Sequence, residues 1–425
     1  MSTGRYSFSA LLGSLASRRR ARAVPSGVLG VRDFRLLWLG EGISLLGTHF
    51  QVVALSWLAL NMTGSGLALG LILMFAAIPR TIFVLLGGAL ADQLTPRFMM
   101  LGANVIRALC VATLTALVAF DAVQLWHLYV LAAIFGLMGA FFQPAYLSMV
   151  PSLVAKEHIA AANALLFATS QLSGALGPVL AGYIIQWAGI VTAFGLDAAT
   201  YLFAAAAVAS MQARGSNGGP ERTSPRRVIR DIGIVLRWIR HDPIMRPLLV
   251  TVAVVNLLLA GPLSVGLPVL AHTRFASDPA ALGTLLSSLG TGALLGTLLG
   301  GRLRSLRRRG LIVLGILVCV GSMLASIGVA PNLILASLAT ATVGLLLGFV
   351  VVMFFSWLQQ NTGQEMMGRM MSVVVFAGAL LIPISNVAGG ALADRNPSMF
   401  FLLAGSLIVV TGLVTALNRP LREID

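Results

Sequence analysis

A chain of 425 residues that is 58% hydrophobic and only 10% charged, with a mean hydropathy of +0.92, carries far more apolar surface than a soluble core of that length can hide. Composition therefore excludes a soluble domain and points to a protein that crosses the bilayer many times, with lipid as its first partner. The net charge of +15 would suit a nucleic-acid partner in a soluble chain, but in a membrane protein basic residues gather in cytoplasmic loops and fix orientation, so their placement matters before their sign.

The first 33 residues hold six arginines, Arg5, Arg18, Arg19, Arg20, Arg22 and Arg32, and no long apolar stretch followed by a small-residue cleavage site, so a cytoplasmic tail is expected and not a cleaved signal. Twelve apolar runs then follow, at 34–60, 67–90, 98–120, 128–150, 162–187, 190–211, 247–271, 281–301, 311–329, 333–357, 370–393 and 399–417. A run of about 20 residues crosses about 30 Å of hydrocarbon as a helix. In lipid the backbone must satisfy its own hydrogen bonds, so these runs are read as helices and the fold as all-α.

Between the sixth and seventh runs, Gln212 to Arg227 is rich in Gly, Ser, Pro and Arg and reads as a linker. Val228 to Arg240 alternates apolar and basic residues at helical spacing, a pattern that suits a helix lying along the inner membrane surface or a simple charged tether. The expected divisions are a tail at 1–33, a six-helix half at 34–211, a linker at 212–246, a second half at 247–417 and a tail at 418–425. With the N-terminus inside, 24 of the 29 basic residues fall on the cytoplasmic side and only Arg274 and Arg395 fall outside. That asymmetry places both termini in the cytoplasm of a cell-membrane protein and removes any need for nucleic acid.

The two sets of six runs show traces of a repeat. Ala181 and Ala388 open similar stretches at an offset of 207, and the pairs Asp33/Asp242 and Cys110/Cys319 are each 209 apart. Twelve transmembrane helices in two pseudo-symmetric halves is the layout in which a midplane site is exposed to each side in turn. Cys110 and Cys319 lie inside apolar runs with no partner motif, so no disulfide framework or metal site is expected. The only lysine is Lys156, which rules out a Gly-x-x-x-x-Gly-Lys-Ser/Thr nucleotide loop. No nucleophile elbow or paired-carboxylate site is found either, so neither an enzyme nor a cofactor is expected.

Ionisable side chains at mid-depth are costly and are functional candidates by default. Glu41 lies nine residues beyond Arg32, Arg80 twelve before Asp92 and Arg107 ten beyond Arg97, which puts them about 13, 18 and 15 Å along their helices from the cytoplasmic side. An acid approached by two bases is either a structural ion-pair cluster or a proton carrier, and both readings stay open for Glu41. Asp197, in the outer third of the sixth run, and His49, two turns beyond Glu41, are further candidates for carrying a proton. The second half has Asn256, Gln359 and Asn386 as its main polar groups, so any coupling is expected in the first half. Trp57, Phe141, Phe142, Asn256, Phe354, Phe355 and Trp357 are candidate walls of a mostly apolar substrate cavity.

GGALADQLTPRF, Gly87 to Phe98, resembles the signature between the second and third spans of the major facilitator superfamily, usually Gly-x-Leu-Ala-Asp-Arg-x-Gly-Arg-Arg/Lys. Gly88, Leu90, Ala91, Asp92 and Arg97 match, whereas Gln93, Thr95 and Pro96 depart from it. FRLLWLGEGISLLGTHFQVVALSWLALNMTGS from Phe34, FFQPAYLSMVPSLVAKEHIAAANAL from Phe141 and GRMMSV from Gly368 resemble the drug/proton antiporter branch that includes macrolide efflux proteins and the enterobactin exporter. The likeness covers nearly the whole chain after residue 30 and is silent on the substrate.

The resemblance implies a secondary transporter, a monomer, that exports a small hydrophobic or amphipathic compound in exchange for protons. It also implies a latch in which Asp92, with Gly88 and Arg97, faces the helix start near Gly368 and Arg369. The second-half counterpart from Gly296 has arginines and no acid, so the latch is expected to be one-sided. SGALGPVLAG, Ser173 to Gly182, resembles the antiporter motif Gly-x-x-x-Gly-Pro-x-x-Gly-Gly, matching at Gly177, Pro178 and Gly182. An importer or uncoupled facilitator, and more remotely a receptor or assembly subunit without turnover, remain alternatives.

Overall fold

The computed structural model describes residues 27–91, 95–212, 242, 245–275, 278–302, 309–361 and 364–417. Within them, twelve helices are long and apolar enough to cross a membrane. In chain order these are α1 (Arg32–Thr63), α2 (Gly66–Ala91), α3 (Pro96–Ala119), α4 (Leu125–Leu153), α5 (Ile159–Ala188) and α6 (Ile190–Ala209). After the linker come α7 (Met245–Arg274), α8 (Pro279–Arg302), α9 (Arg309–Val329), α10 (Leu333–Asn361), α11 in two parts, α11a (Gln364–Leu380) and α11b (Ile382–Arg395), and α12 (Pro397–Ala416). The expected tail before residue 27, the amphipathic segment at 228–240 and the C-terminal tail lie outside the described residues.

Local chemistry explains where the helices begin and end. Thr95 and Asn396 accept from the backbone N–H groups of Phe98 and Met399, each followed by a proline at the first helical position, where its missing N–H costs nothing. Asp242 caps α7 by accepting from the Met245 N–H at 2.8 Å. Gly64 ends α1 in the left-handed region at φ 63°, its N–H bonded to the Leu60 carbonyl. The Asp33 and Asp242 pair of the repeat therefore does two jobs, because Asp33 instead accepts from the Gln212 N–H at the end of α6.

Each expected run corresponds to a helix, with two departures from regularity in the second half. Expected as single runs, α7 contains a π-helical turn at Pro262–Gly266 and α11 breaks at Leu381. The two departures meet. The hydroxyl of Ser385 accepts from the Gly261 N–H at 2.7 Å and donates to the Leu257 carbonyl, so it stands in the place of one rung of the α7 ladder. Ser264, inside the π turn, donates to Asn386 on α11b at 2.8 Å. Pro383 lacks the N–H needed to continue α11 through the break.

Both chain ends of the described bundle, the end of α6 and the start of α7 share one face, called here the linker face; the opposite face is distal. Helix packing relies on small residues, as expected where lipid offers no hydrophobic drive for association. On α8, a Cβ at Gly292 or Gly296 would run into the main chain of Ala341 or Leu345 on α10. The first six and last six helices meet mainly through α2 with α11b and α5 with α8. Gly66 and Gly70 of α2 press on the main chain of α11b, and Gly283 and Gly290 of α8 press on the main chain of α5. Among the described residues these contacts run from the distal ends to about mid-helix and close the distal face.

Candidate functional site

Two sites stand out: a charged layer inside the first six helices and a distal seam between the two sets of six. The charged layer is centred on Arg107 of α3. Its guanidinium carbon lies 4.9 Å from the ring centroid of Phe142 on α4 and 5.8 Å from that of Tyr201 on α6, so two aromatic faces hold a cation deep in the bundle. Its Nε is buried with no hydrogen-bond partner. Arg107 interacts electrostatically with Glu41 of α1, Arg80 of α2 and Asp197 of α6. The side chains of Arg80 and Arg107 converge beside Gly139 of α4.

Asp197 is the most enclosed charge in this layer, with 0% of its surface exposed. Both carboxylate oxygens lack a hydrogen-bond partner, because the Thr200 hydroxyl donates to the Asp197 main-chain carbonyl at 2.7 Å instead. Space for the carboxylate comes from Gly47 of α1, where a Cβ would lie 2.6 Å from Asp197 Oδ1. Next to it, Thr48 donates to the Ser44 carbonyl at 3.0 Å, which leaves the Tyr201 hydroxyl to donate to Thr48 Oγ1 at 3.2 Å. Asn104, one turn from Arg107, has a buried and unpartnered Oδ1.

Glu41 and Arg107 do not form the direct ion pair that one sequence reading allowed, and no salt bridge joins either acid to Arg107. Arg80 faces the charge of Arg107. One cation thus stands within reach of two acids and in contact with neither. His49 sits elsewhere on α1, with its ring against Gly177 of α5, where a Cβ would lie 2.8 Å from the imidazole. The antiporter-like motif therefore has a local physical reason. Gly177 makes room for His49, while Pro178 and Gly182 meet α8 at Gly283 and Pro279.

The distal seam is closed by Asp394, at the end of α11b. It accepts from the Ser65 hydroxyl at 2.7 Å, from the Leu67 N–H at 3.0 Å and from the Gly66 N–H, so it sits on the N-terminus of α2, where the helix dipole favours an anion. Gln186 donates to Asp278 at 3.0 Å, the Val179 N–H donates to Ser287 at 2.8 Å, and His272 pairs with Asn61 at 3.1 Å beneath the edge of Trp57.

Asp394 was missed in the sequence, and a signal for it was present: Gly-Gly-Ala-Leu-Ala-Asp occurs at 87–92 and again at 389–394. The second copy of the acid lies at the distal end of α11b, on the face opposite the loop after α8. Asp92 and the side chain of Arg369 lie outside the described residues, and Gly88 lies in the last turn of α2. Arg97 is corrected. Its guanidinium donates to the carbonyls of Val208 at 3.1 Å and Ala209 at 2.5 Å, closing the end of α6.

Of the proposed cavity walls, Asn256, Phe354, Phe355 and Trp357 line one cavity of about 520 Å³. Trp57 stands at the distal seam, Phe142 lies under Arg107 with 5% exposure, and Phe141 packs edge-on against Phe83; none of the three lines that cavity.

Twelve apolar helices, a charged layer inside one set of six and a seam between two sets define the fold of a secondary transporter of the major facilitator type. A solved peptide transporter of the POT type, crystallised with alafosfalin, superimposes with a TM-score of 0.73 over 95% of this chain and 98% of its own, at 15% identity. The profile of the transmembrane secretion effector family matches residues 26–425, and the chain belongs to that family of the major facilitator superfamily. It is 27% identical to the multidrug efflux pump Tap of Mycolicibacterium fortuitum over 394 residues, 89% of this chain and 94% of the relative. It is 22% identical to macrolide efflux protein A of Streptococcus pyogenes over 395 residues, 92% of this chain and 97% of the relative.

Proposed function

We propose that this protein exports a small hydrophobic or amphipathic compound from the cell, in exchange for protons, by alternating access. The reading of export draws on relatives described as multidrug and macrolide efflux proteins along nearly their whole length. The basic residues concentrated on the linker side favour that face as cytoplasmic. On this reading the outer face is shut in the described conformation.

The observation that carries proton coupling is Asp197: a carboxyl with no exposed surface and two unpartnered oxygens, in reach of a single shared cation. An ionisable group so enclosed within a span is a functional candidate by default, and here it serves as the proton carrier. Opening of the outer face would free Arg107 to approach it and release the proton. Glu41, only partly buried and also in reach of Arg107, is the second carrier.

Transport into proteoliposomes under an imposed pH gradient tests the assignment, with an uncharged lipophilic dye as substrate. Asp197→Asn should abolish the response to the gradient while leaving dye exchange at equilibrium, and Glu41→Gln should weaken it. Gradient-driven transport by Asp197→Asn at the wild-type rate would remove the assignment.

A further inference from the structure

Arg80 of α2 and Arg107 of α3 come together where a glycine leaves room between them. A Cβ at Gly139 of α4 would lie 3.5 Å from Arg107 Nη2 and 3.9 Å from Arg80 Nε, both ordinary contact distances, so Gly139 keeps a space bordered by two guanidinium groups. Arg80 is exposed and Arg107 half-buried, which leaves that space open on one side.

Each guanidinium brings a planar fork of N–H donors suited to an anion. Among the described residues neither one makes a hydrogen bond or an ion pair, and Arg107 Nε is buried without a partner. The rings of Phe142 and Tyr201 steady Arg107, but a ring face offers no lone pair to its N–H groups. Glu41 and Asp197 act on Arg107 only at a distance. Like charges that converge inside a span repel each other, and ionisable groups there are found paired with opposite charge. The partner that both guanidiniums can share is an anion.

We propose that Arg80 and Arg107 bind a small monovalent anion between them, beside Gly139. The chemistry required is one negative charge, supplied by a free ion such as chloride or by the carboxylate of a carried compound. A bound anion holds Arg107 toward Arg80 and away from Asp197 and Glu41, so occupancy of the site sets how far the two acids can draw on their shared cation. The proposal stands on the charged layer alone and is independent of the direction of transport.

The test uses the full chain in phosphatidylcholine nanodiscs, with chloride exchanged for the bulky anion of sodium MOPS at constant ionic strength and empty discs as background. Binding of radioactive chloride is measured by scintillation proximity, and the melting midpoint is followed in parallel. Gly139→Ala is the decisive variant, because it fills the space while keeping both charges and its methyl strikes no backbone. Arg80→Gln removes one charge from an exposed position, and Arg107→Gln removes the other.

The wild type should bind chloride saturably, and its midpoint should rise with chloride, since a ligand of the folded state stabilises it. Gly139→Ala and Arg80→Gln should each weaken binding at least about tenfold, and the rise in midpoint should go with it. Should Arg107→Gln fail to fold, the other two variants decide. Acetate and hexanoate then compete as carboxylates without and with an apolar tail. Equal competition assigns the site to a free anion, whereas far tighter hexanoate assigns it to the carboxylate of a carried compound. Absence of saturable chloride binding in the wild type, or binding at full strength in Gly139→Ala and Arg80→Gln, would overturn the proposal. So would loss of chloride binding in phosphatidylglycerol discs, which would give the site to a lipid headgroup.

Discussion

Asp394→Ala removes the acceptor that ties α11b to the start of α2. In the structure this carboxylate takes three donors, the Ser65 hydroxyl and the N–H groups of Gly66 and Leu67. Fully buried, each charge-assisted bond would contribute about 1.5–3 kcal/mol, but Asp394 is exposed, and surface pairs contribute about 0.2–1 kcal/mol. The interaction with the helix dipole adds about 0.3–1 kcal/mol. Part of the loss is recovered because Ser65 already bonds the Ala68 N–H at 3.3 Å and can cap α2 alone.

The net weakening is therefore about 1–2 kcal/mol, a shift of about 5–30-fold toward an open distal face. A cysteine at Ile185, which is 7% exposed within the seam, reports it when the native Cys110 and Cys319 are replaced by serine. The rate of modification by a membrane-impermeant maleimide should rise by that factor in Asp394→Ala. High salt should produce a smaller rise in the wild type, since the contact is open to solvent. A labelling rate unchanged by Asp394→Ala would refute the idea that this contact holds the face shut.

Other substitutions test separate parts of the account. Gly283→Val places a side chain against the Pro178 carbonyl, so the seam should fail to close and the Ile185 reporter should label rapidly without any change at Asp394. Gly177→Ala brings a methyl 2.8 Å from the His49 ring; overpacking of this kind costs about 1–3 kcal/mol, and the melting midpoint of the solubilised protein should fall. Arg97→Ala loses two bonds to the end of α6, worth about 1–2 kcal/mol, and hydrogen exchange in the last turn of α6 should quicken while seam labelling stays at the wild-type rate.

The spans were legible because apolar length is a constraint that lipid imposes on every helix alike. Glu41, Arg80, Arg107 and Asp197 were legible for the converse reason, since a charge within an apolar run is conspicuous. Their mutual geometry was not. Whether Arg107 pairs with Glu41 or stands between two acids depends on the rotation of α1, α3 and α6, and on Gly47, whose role is visible only when Asp197 is seen against it.

Neutral groups that work through backbone were hidden as well. Ser385 reads as one more small residue in a span, yet it takes the place of a rung in the ladder of a different helix. Arg97 was read through the motif that contains it, whereas its partners are main-chain carbonyls that no side-chain pattern reveals.

The central claim is that the two sets of six helices open one face as they close the other. Spin labels on the exposed Met62 and Met399 report the distal face, and labels on the exposed Phe98 and Leu311 report the linker face. Distance distributions for each pair, measured in nanodiscs for the wild type and for Asp394→Ala, test the claim directly. The account predicts that the distal pair gains a longer population in Asp394→Ala and that the linker pair gains a shorter one in equal proportion. A distal opening with no change in the linker pair would contradict it.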